Sequence, residues 1–166
     1  MSLSFEKIPS GELNTVLNYL RSAALTLQKK GIPQWKVWLD PQPANIEWVE
    51  KGINEGEYHL VFHEQSPCGI FRLSETDEIY WGKQETIARY IHSLVIDEQY
   101  AGLGLGKQVI NLLIQQAKAD GIPYLRLDCI SANKALCSYY EAQGFNKVGE
   151  KQMPHSLNNL YEKALD

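Results

Sequence analysis

The sequence predicts one α/β domain, and three observations carry that reading. Runs of strand length alternate with runs that have a helical apolar period, the pattern of a sheet covered by helices. From Tyr90 to Gly121 a buried-strand pattern passes directly into a glycine-rich turn and then a long amphipathic helix. The 166 residues, 44% hydrophobic and 22% charged, hold enough apolar material for one core, without repeats or low-complexity linkers that would mark a second. The domain is expected to span residues 1–166.

Taken in order, Leu3 to Ile8 reads as a first strand. A helix begins in Ser10-Gly-Glu-Leu-Asn14, with Leu13, Val16, Leu17, Leu20, Ala24 and Leu27 on one face, and runs to about Lys29, where Gly31 and Pro33 stop it. GIPQWKVWLDPQPANI then carries Trp35, Trp38 and three prolines, and a second short helix is expected over Ala44 to Gly52. Glu57 to His63 and Cys68 to Ser74 read as strands joined by EQSP through a Ser-Pro turn. Asp77 to Arg89 is a less regular polar stretch.

Ile91, Leu94, Val95 and Ile96 form the apolar part of a central strand, which Asp97 to Tyr100 break. After Gly102, Gly104, Gly106 and Lys107, the residues Ile110, Leu113, Ile114 and Ala117 recur at helical spacing up to Gly121 and Pro123. YLRLDCI, from Tyr124, reads as a strand, and NKALCSYYEAQG, from Asn133, as a short helix with an Asn cap and a Gly stop. Asn146 to Lys151 and Asn159 to Ala164 are two final strands around the Met153-Pro-His155-Ser loop.

Composition excludes several function classes. A net charge of -4 and a pI near 5.6, with no basic cluster, argue against nucleic acid as a partner. Cys68, Cys129 and Cys137 form no C-x-x-C pair, so neither a disulfide framework nor a zinc site is expected. The start lacks an apolar signal core and no later run is long enough to span a bilayer, which leads to the expectation of a cytoplasmic protein without a membrane partner. His59 and His63 share one strand face, but with no third ligand at recognisable spacing they read as exposed strand positions, and no metal is expected.

Strand, glycine turn and helix start together make an anion site. The first turn of a helix leaves backbone N–H groups without intrahelical partners, the aligned peptide dipoles add partial positive charge, and glycines let a phosphate approach closely. The spacing G-x-G-x-G is not the dinucleotide fingerprint G-x-G-x-x-G, and Ala101 and Gln108 stand where a P-loop needs Gly and Ser or Thr. What the stretch resembles is the acetyl-CoA pyrophosphate loop of the GCN5-related N-acetyltransferase (GNAT) superfamily, Arg/Gln-x-x-Gly-x-Gly/Ala. Ala101-x-x-Gly104-x-Gly106 sits on that pattern with Ala in place of Arg or Gln, while the alternative register Gln99-x-x-Gly102-x-Gly104 starts the helix two residues early. Downstream, Asn133, Tyr140, Glu141, Gly144 and Phe145 resemble the second signature of the same superfamily.

The resemblance implies a mixed central sheet of about seven strands with four helices, and direct transfer of an acetyl group from acetyl-CoA to the amine of an acceptor, without an acyl-enzyme. It implies that main-chain groups of Gly102, Leu103, Gly104, Leu105, Gly106 and Lys107 hold the pyrophosphate. Backbone of Leu94, Val95 and Ile96 would pair with the pantetheine arm, which Asn133 would also bond unless it only caps its helix. Tyr140 is implied as the acid that protonates the departing thiolate; packing on the sheet is the alternative, as for Tyr139. For the general base, Asp128 and His92 both stand open, each with a structural alternative, Asp128 in a pair with Arg126 or a backbone amide; water relayed to Glu78 or Glu85 is a further route. The ordinary range of histidine lies closer to neutral pH. Trp35, Trp38 and Trp48 either pack or line an acceptor pocket. The acceptor reads as a small-molecule amine, with a protein N-terminus or lysine, a non-catalytic acyl-CoA-binding module and a plain interaction protein as the competing readings. A monomer and a homodimer are both compatible with the chain.

Overall fold

The computed structural model describes residues 2–32 and 34–166, so Pro33, expected to stop the first helix, lies outside the described residues. The elements are β1 (Leu3–Lys7), α1 (Leu13–Lys29), α2 (Pro43–Asn54), β2 (Tyr58–His63), β3 (Ser66–Ser74), β4 (Arg89–Ile96), α3 (Leu105–Ala119), β5 (Tyr124–Ile130), α4 (Lys134–Ala142), β6 (Asn146–Gln152) and β7 (Leu157–Ala164). The strands form a mixed seven-stranded sheet in the order β1-β2-β3-β4-β5-β7-β6. The β1/β2, β2/β3, β5/β7 and β6/β7 pairs are antiparallel. β4 and β5 run parallel, as a crossover through the intervening α3 requires. Their ladder pairs Arg89 with Leu125 and Tyr90 with Arg126, and Ile91 and His92 lie past it.

The chain divides into two compact units. One comprises residues 1–73 and 93–108. Its helix α1 buries Val16, Leu20 and Ala24, one face at i, i+4 spacing, and α2 adds Val49 and Ile53. Pro43 at the first turn of α2, preceded by a reciprocal Gln42/Asn45 cap, starts that helix a residue earlier than its apolar period suggests. The expected Ser-Pro turn is corrected: the β2/β3 turn is Glu64-Gln65, both at positive φ (49° and 74°), while Ser66 and Pro67 already pair with His63 and Phe62. A two-residue turn of this hand matches the twist of the flanking strands, and Pro67 is tolerated because the register shifts beside it. His59 is also corrected from exposed to half-buried, its ring stacked on Phe71 with centroids 4.9 Å apart, and His63 is half-buried too.

The other unit comprises residues 74–92 and 109–166. α3 buries Val109, Ile110, Leu113 and Ala117 there. Arg126, only 3% exposed, is fully engaged: it donates to Glu162 Oε2 (2.8 Å), Tyr90 Oη (2.7 Å) and Thr86 Oγ1 (2.7 Å), and its guanidinium lies 5.0 Å from the Trp81 ring centroid. A buried cation needs such partners. Among the described residues no helix is long and apolar enough to cross a membrane.

Candidate active site

In the first unit, residues 93–108 carry the end of β4, the glycine turn and the start of α3. Ser93 sits at φ 52°, in the left-handed region that a non-glycine residue seldom enters, so the strand kinks in mid-course and re-aims the peptide groups that follow. Val95 is buried in the core while Leu94 and Ile96 are half-buried. Asp97 ends the strand: its Oδ1 accepts from Gln99 N at 3.2 Å and starts one turn of 3-10 helix over Glu98–Tyr100. Ala101 is extended, then Gly102 and Gly104 turn the chain at φ 83° and 71°. Gly104 O accepts from Gln108 N (3.2 Å), so α3 begins with Leu105 and the amides of its first turn have no helical acceptor. That start agrees with the Ala101/Gly104/Gly106 register. Gly102, Leu103, Gly104 and Lys107 are exposed, Gly106 half-buried and Leu105 buried as an anchor.

In the second unit the two candidate bases stand together. His92 Nε2 lies 3.1 Å from Asp77 Oδ2, and His92 Nδ1 lies 3.9 Å from Asp128 Oδ1. Each carboxylate is held by its other oxygen: Asp77 Oδ1 accepts from Tyr80 N (3.1 Å) and Asp128 Oδ2 from Asn158 Nδ2 (2.8 Å). Arg126 is committed elsewhere and is not Asp128's partner. The Tyr80 ring lies tilted 6.2 Å from the imidazole. Asp77 was not legible in the sequence, lying in a stretch where Glu78 and Glu85, the carboxylates considered for a water relay, are exposed. The only available signal was that an Asp three residues before Tyr80 can bond that residue's amide.

Burial, above all, pushes the Asp128 carboxyl above its ordinary range; Asp77 adds to this, and His92 and the Asn158 bond oppose it. Burial, followed by the charges of Asp128 and Asp77, pushes Tyr80 up to about 12. Tyr140 is pushed up by burial first and then by Cys129, Tyr139 and Asp128. It therefore holds its proton at neutral pH. Its ring packs against Phe145 (6.0 Å) and Tyr161 (6.3 Å), whereas Tyr139 is 39% exposed. Asn133 caps α4, its Oδ1 accepting from Leu136 N at 3.1 Å.

Asp77, His92 and Asp128 bring ligand-type atoms within 4.8 Å of one another. Each ring nitrogen faces a different carboxylate. Of the tryptophans, Trp38 is buried and stacks on Trp48 (6.3 Å), which in turn lies under Arg72 (4.1 Å).

Residues 24–145 match the acetyltransferase (GNAT) family. The chain belongs to that family. A GNAT relative, the uncharacterized N-acetyltransferase YesJ of Bacillus subtilis, is 26% identical over 93% of this chain and 86% of its own length. A solved GNAT acetyltransferase of Listeria monocytogenes superposes with a TM-score of 0.79 at 24% identity, covering 98% of this chain and 95% of the other. The PaiA N-acetyltransferase of Thermoplasma acidophilum, solved with coenzyme A, gives 0.66 at 18% identity over 99% of both chains. The fold is thus the GNAT fold, and the protein is an acyltransferase enzyme of that family.

Proposed function

We propose that this GNAT enzyme transfers the acetyl group of acetyl-CoA directly to a primary amine of a small-molecule acceptor, with residues 1–166 acting as one catalytic domain in the cytoplasm, as a monomer or homodimer. The observation that carries the reading is β4 itself, which holds His92 at its clamped end and, after the Ser93 kink, leads into the glycine turn and the open first turn of α3.

In this reading the amides of residues 102–107 hold the pyrophosphate, since unpaired N–H groups at a helix start attract anions. Backbone groups of Leu94, Val95 and Ile96 bind the pantetheine arm, and Asn133 bonds it in addition to capping α4. An amine reaches the site as an ammonium and attacks only once deprotonated. His92 takes that proton; Asp128, its carboxyl raised by burial, is the alternative acceptor. The N–C bond forms, the C–S bond breaks, and Tyr140 gives its proton to the sulfur. Burial keeps that proton on Tyr140 and makes a phenolate costly, so the transfer must accompany the growth of charge on sulfur. The chain's charge of -4 and the Asp77/Asp128 pair favour an acceptor that arrives as a cation.

The test is acetyl-CoA turnover, read as thiol release, across aminoglycosides, polyamines, amino acids and short peptides, with thermal shift by CoA in parallel. Turnover with one acceptor class and a raised melting temperature are expected, because a ligand that binds only the folded chain stabilises it. Stabilisation without turnover on any amine would favour a binding module. Absence of stabilisation would remove the cofactor assignment.

A further inference from the structure

We propose that Asn158 is a positioning residue for Asp128: with its amide oxygen taken by Ser156, it turns its amide nitrogen to Asp128 Oδ2, keeps that carboxyl ionised, and leaves Oδ1 to meet the ammonium of the acceptor. The ammonium enters through the transferase reading above, whereas the hydrogen bonds do not depend on it.

Strand β7 lies between β5 and β6, and Asn158 is paired on both sides, with Ile130 and with Lys151. The residue opposite Asp128 is Leu160, so Asn158, two positions away, is the diagonal neighbour on the same face of the antiparallel pair. Asn158 Nδ2 closes that diagonal, donating to Asp128 Oδ2 at 2.8 Å. At the other end of the amide, Ser156 Oγ donates to Asn158 Oδ1 at 2.7 Å. Ser156 is itself held by the β6/β7 turn, where its carbonyl accepts from Met153 N at 2.8 Å and from Gln152 Nε2 at 3.3 Å. An ionised carboxylate only accepts, so it needs the nitrogen end of the amide, and a hydroxyl that donates to the oxygen end fixes that orientation.

Asn158 is 8% exposed, in a strand paired on both edges, where a polar side chain costs free energy unless it is bonded. A hydrogen bond to an ionised group is stronger than one between neutral groups, and it favours the charged form. At Asp128 it works against burial, the largest effect, which raises the carboxyl. The other titratable groups around this carboxyl are His92 on β4, with Nδ1 3.9 Å from Oδ1, Asp77 and Tyr80 on the β3–β4 connection, Tyr140 on α4 and the adjoining Cys129. His92 and Asn158 both oppose burial. The help of His92 depends on its own charge, whereas an amide donates at every pH. Asn158 touches no reacting atom in this scheme and acts only through Asp128.

The experiment follows the side-chain carboxyl carbons of the carbon-13-labelled chain through a pH titration, with Asp128→Asn removing one signal and so assigning it. Asn158→Leu is expected to move the Asp128 titration to higher pH than in the unaltered chain, and Ser156→Ala to move it the same way by less, while the exposed Glu78 and Glu85 titrate as before. An Asp128 titration that stays in place in Asn158→Leu overturns the proposal. Should that variant not fold, Ser156→Ala decides by the same measure. With an acceptor from the amine panel, kcat/KM of Asn158→Leu should fall about tenfold at the acid end of the pH profile. Its ratio to that of the unaltered chain should return toward one as pH rises, because both chains then hold Asp128 ionised. A ratio that is constant across pH marks a purely structural loss and overturns the positioning role. The carbon titration is read without turnover, so it and the transferase reading can fail separately.

Discussion

Tyr140 and Asp128 are both buried ionisable groups, yet burial makes opposite demands on them. In the proposed reaction Tyr140 acts in the neutral form that burial favours, so its loss should be felt in chemistry rather than in binding. Tyr140→Phe is expected to lower kcat by about 10²-fold or more, with the thermal shift by CoA retained; an equally active variant would take Tyr140 out of the mechanism. As the alternative base of the proposed reaction, Asp128 would have to accept a proton in a place that resists ionisation. Its folded-state pKa is raised, so between the unfolded and folded values the native chain binds more protons, and stability falls as pH rises through that window. The contribution is complete below the unfolded value. Asp128→Asn, which leaves an oxygen for Asn158, should therefore gain melting temperature relative to the unaltered chain as pH rises above the ordinary carboxylate range, by about 2–4 °C for each kcal/mol recovered. A difference that stays constant across pH would mean that Asp128 ionises as readily folded as unfolded.

At the scale of elements, two glycines separate folding from binding. Gly69 on β3 lies against β4, where Asp97 N donates to Cys68 O at 2.7 Å, and a Cβ at 69 would stand 2.1 Å from Val95 O. The obstacle is backbone, which cannot rotate away. Gly69→Ala should cost on the order of 1–3 kcal/mol of stability, measured by urea unfolding, and should disturb the strand that carries the kink at Ser93. Gly104 is different: a Cβ there meets nothing within 4 Å, but φ 71° is a conformation that valine resists. Gly104→Val should keep most of the stability and lose the CoA-induced thermal shift, because the first turn of α3 would be re-aimed. Tight CoA binding by that variant would sink the register with Gly104 at the phosphate.

For the whole molecule, all three cysteines are free and buried, Cys129 and Cys137 with sulfurs 3.6 Å apart. Burial, with a smaller effect of Asp97, raises the Cys68 thiol, and burial raises that of Cys129. A thiol reagent should label none of them in the native chain and all three after denaturation, which also keeps a thiol-release assay free of background; rapid native labelling would contradict the burial. The kinked strand's neighbours, the turn and α3, and the capped α4 were legible because helix period, glycine at positive φ and an Asn cap are properties of consecutive residues. The Glu64-Gln65 turn was missed because neither residue announces a positive φ. By itself the sequence determined the order of elements, the family's two signatures and His92, Asp128 and Tyr140 as candidates. Only the tertiary structure decided that His92 and Asp128 are neighbours, since strands distant in sequence lie side by side. It alone singled out Asp77 from the acidic residues around it, because which carboxylate is buried depends on what packs over it.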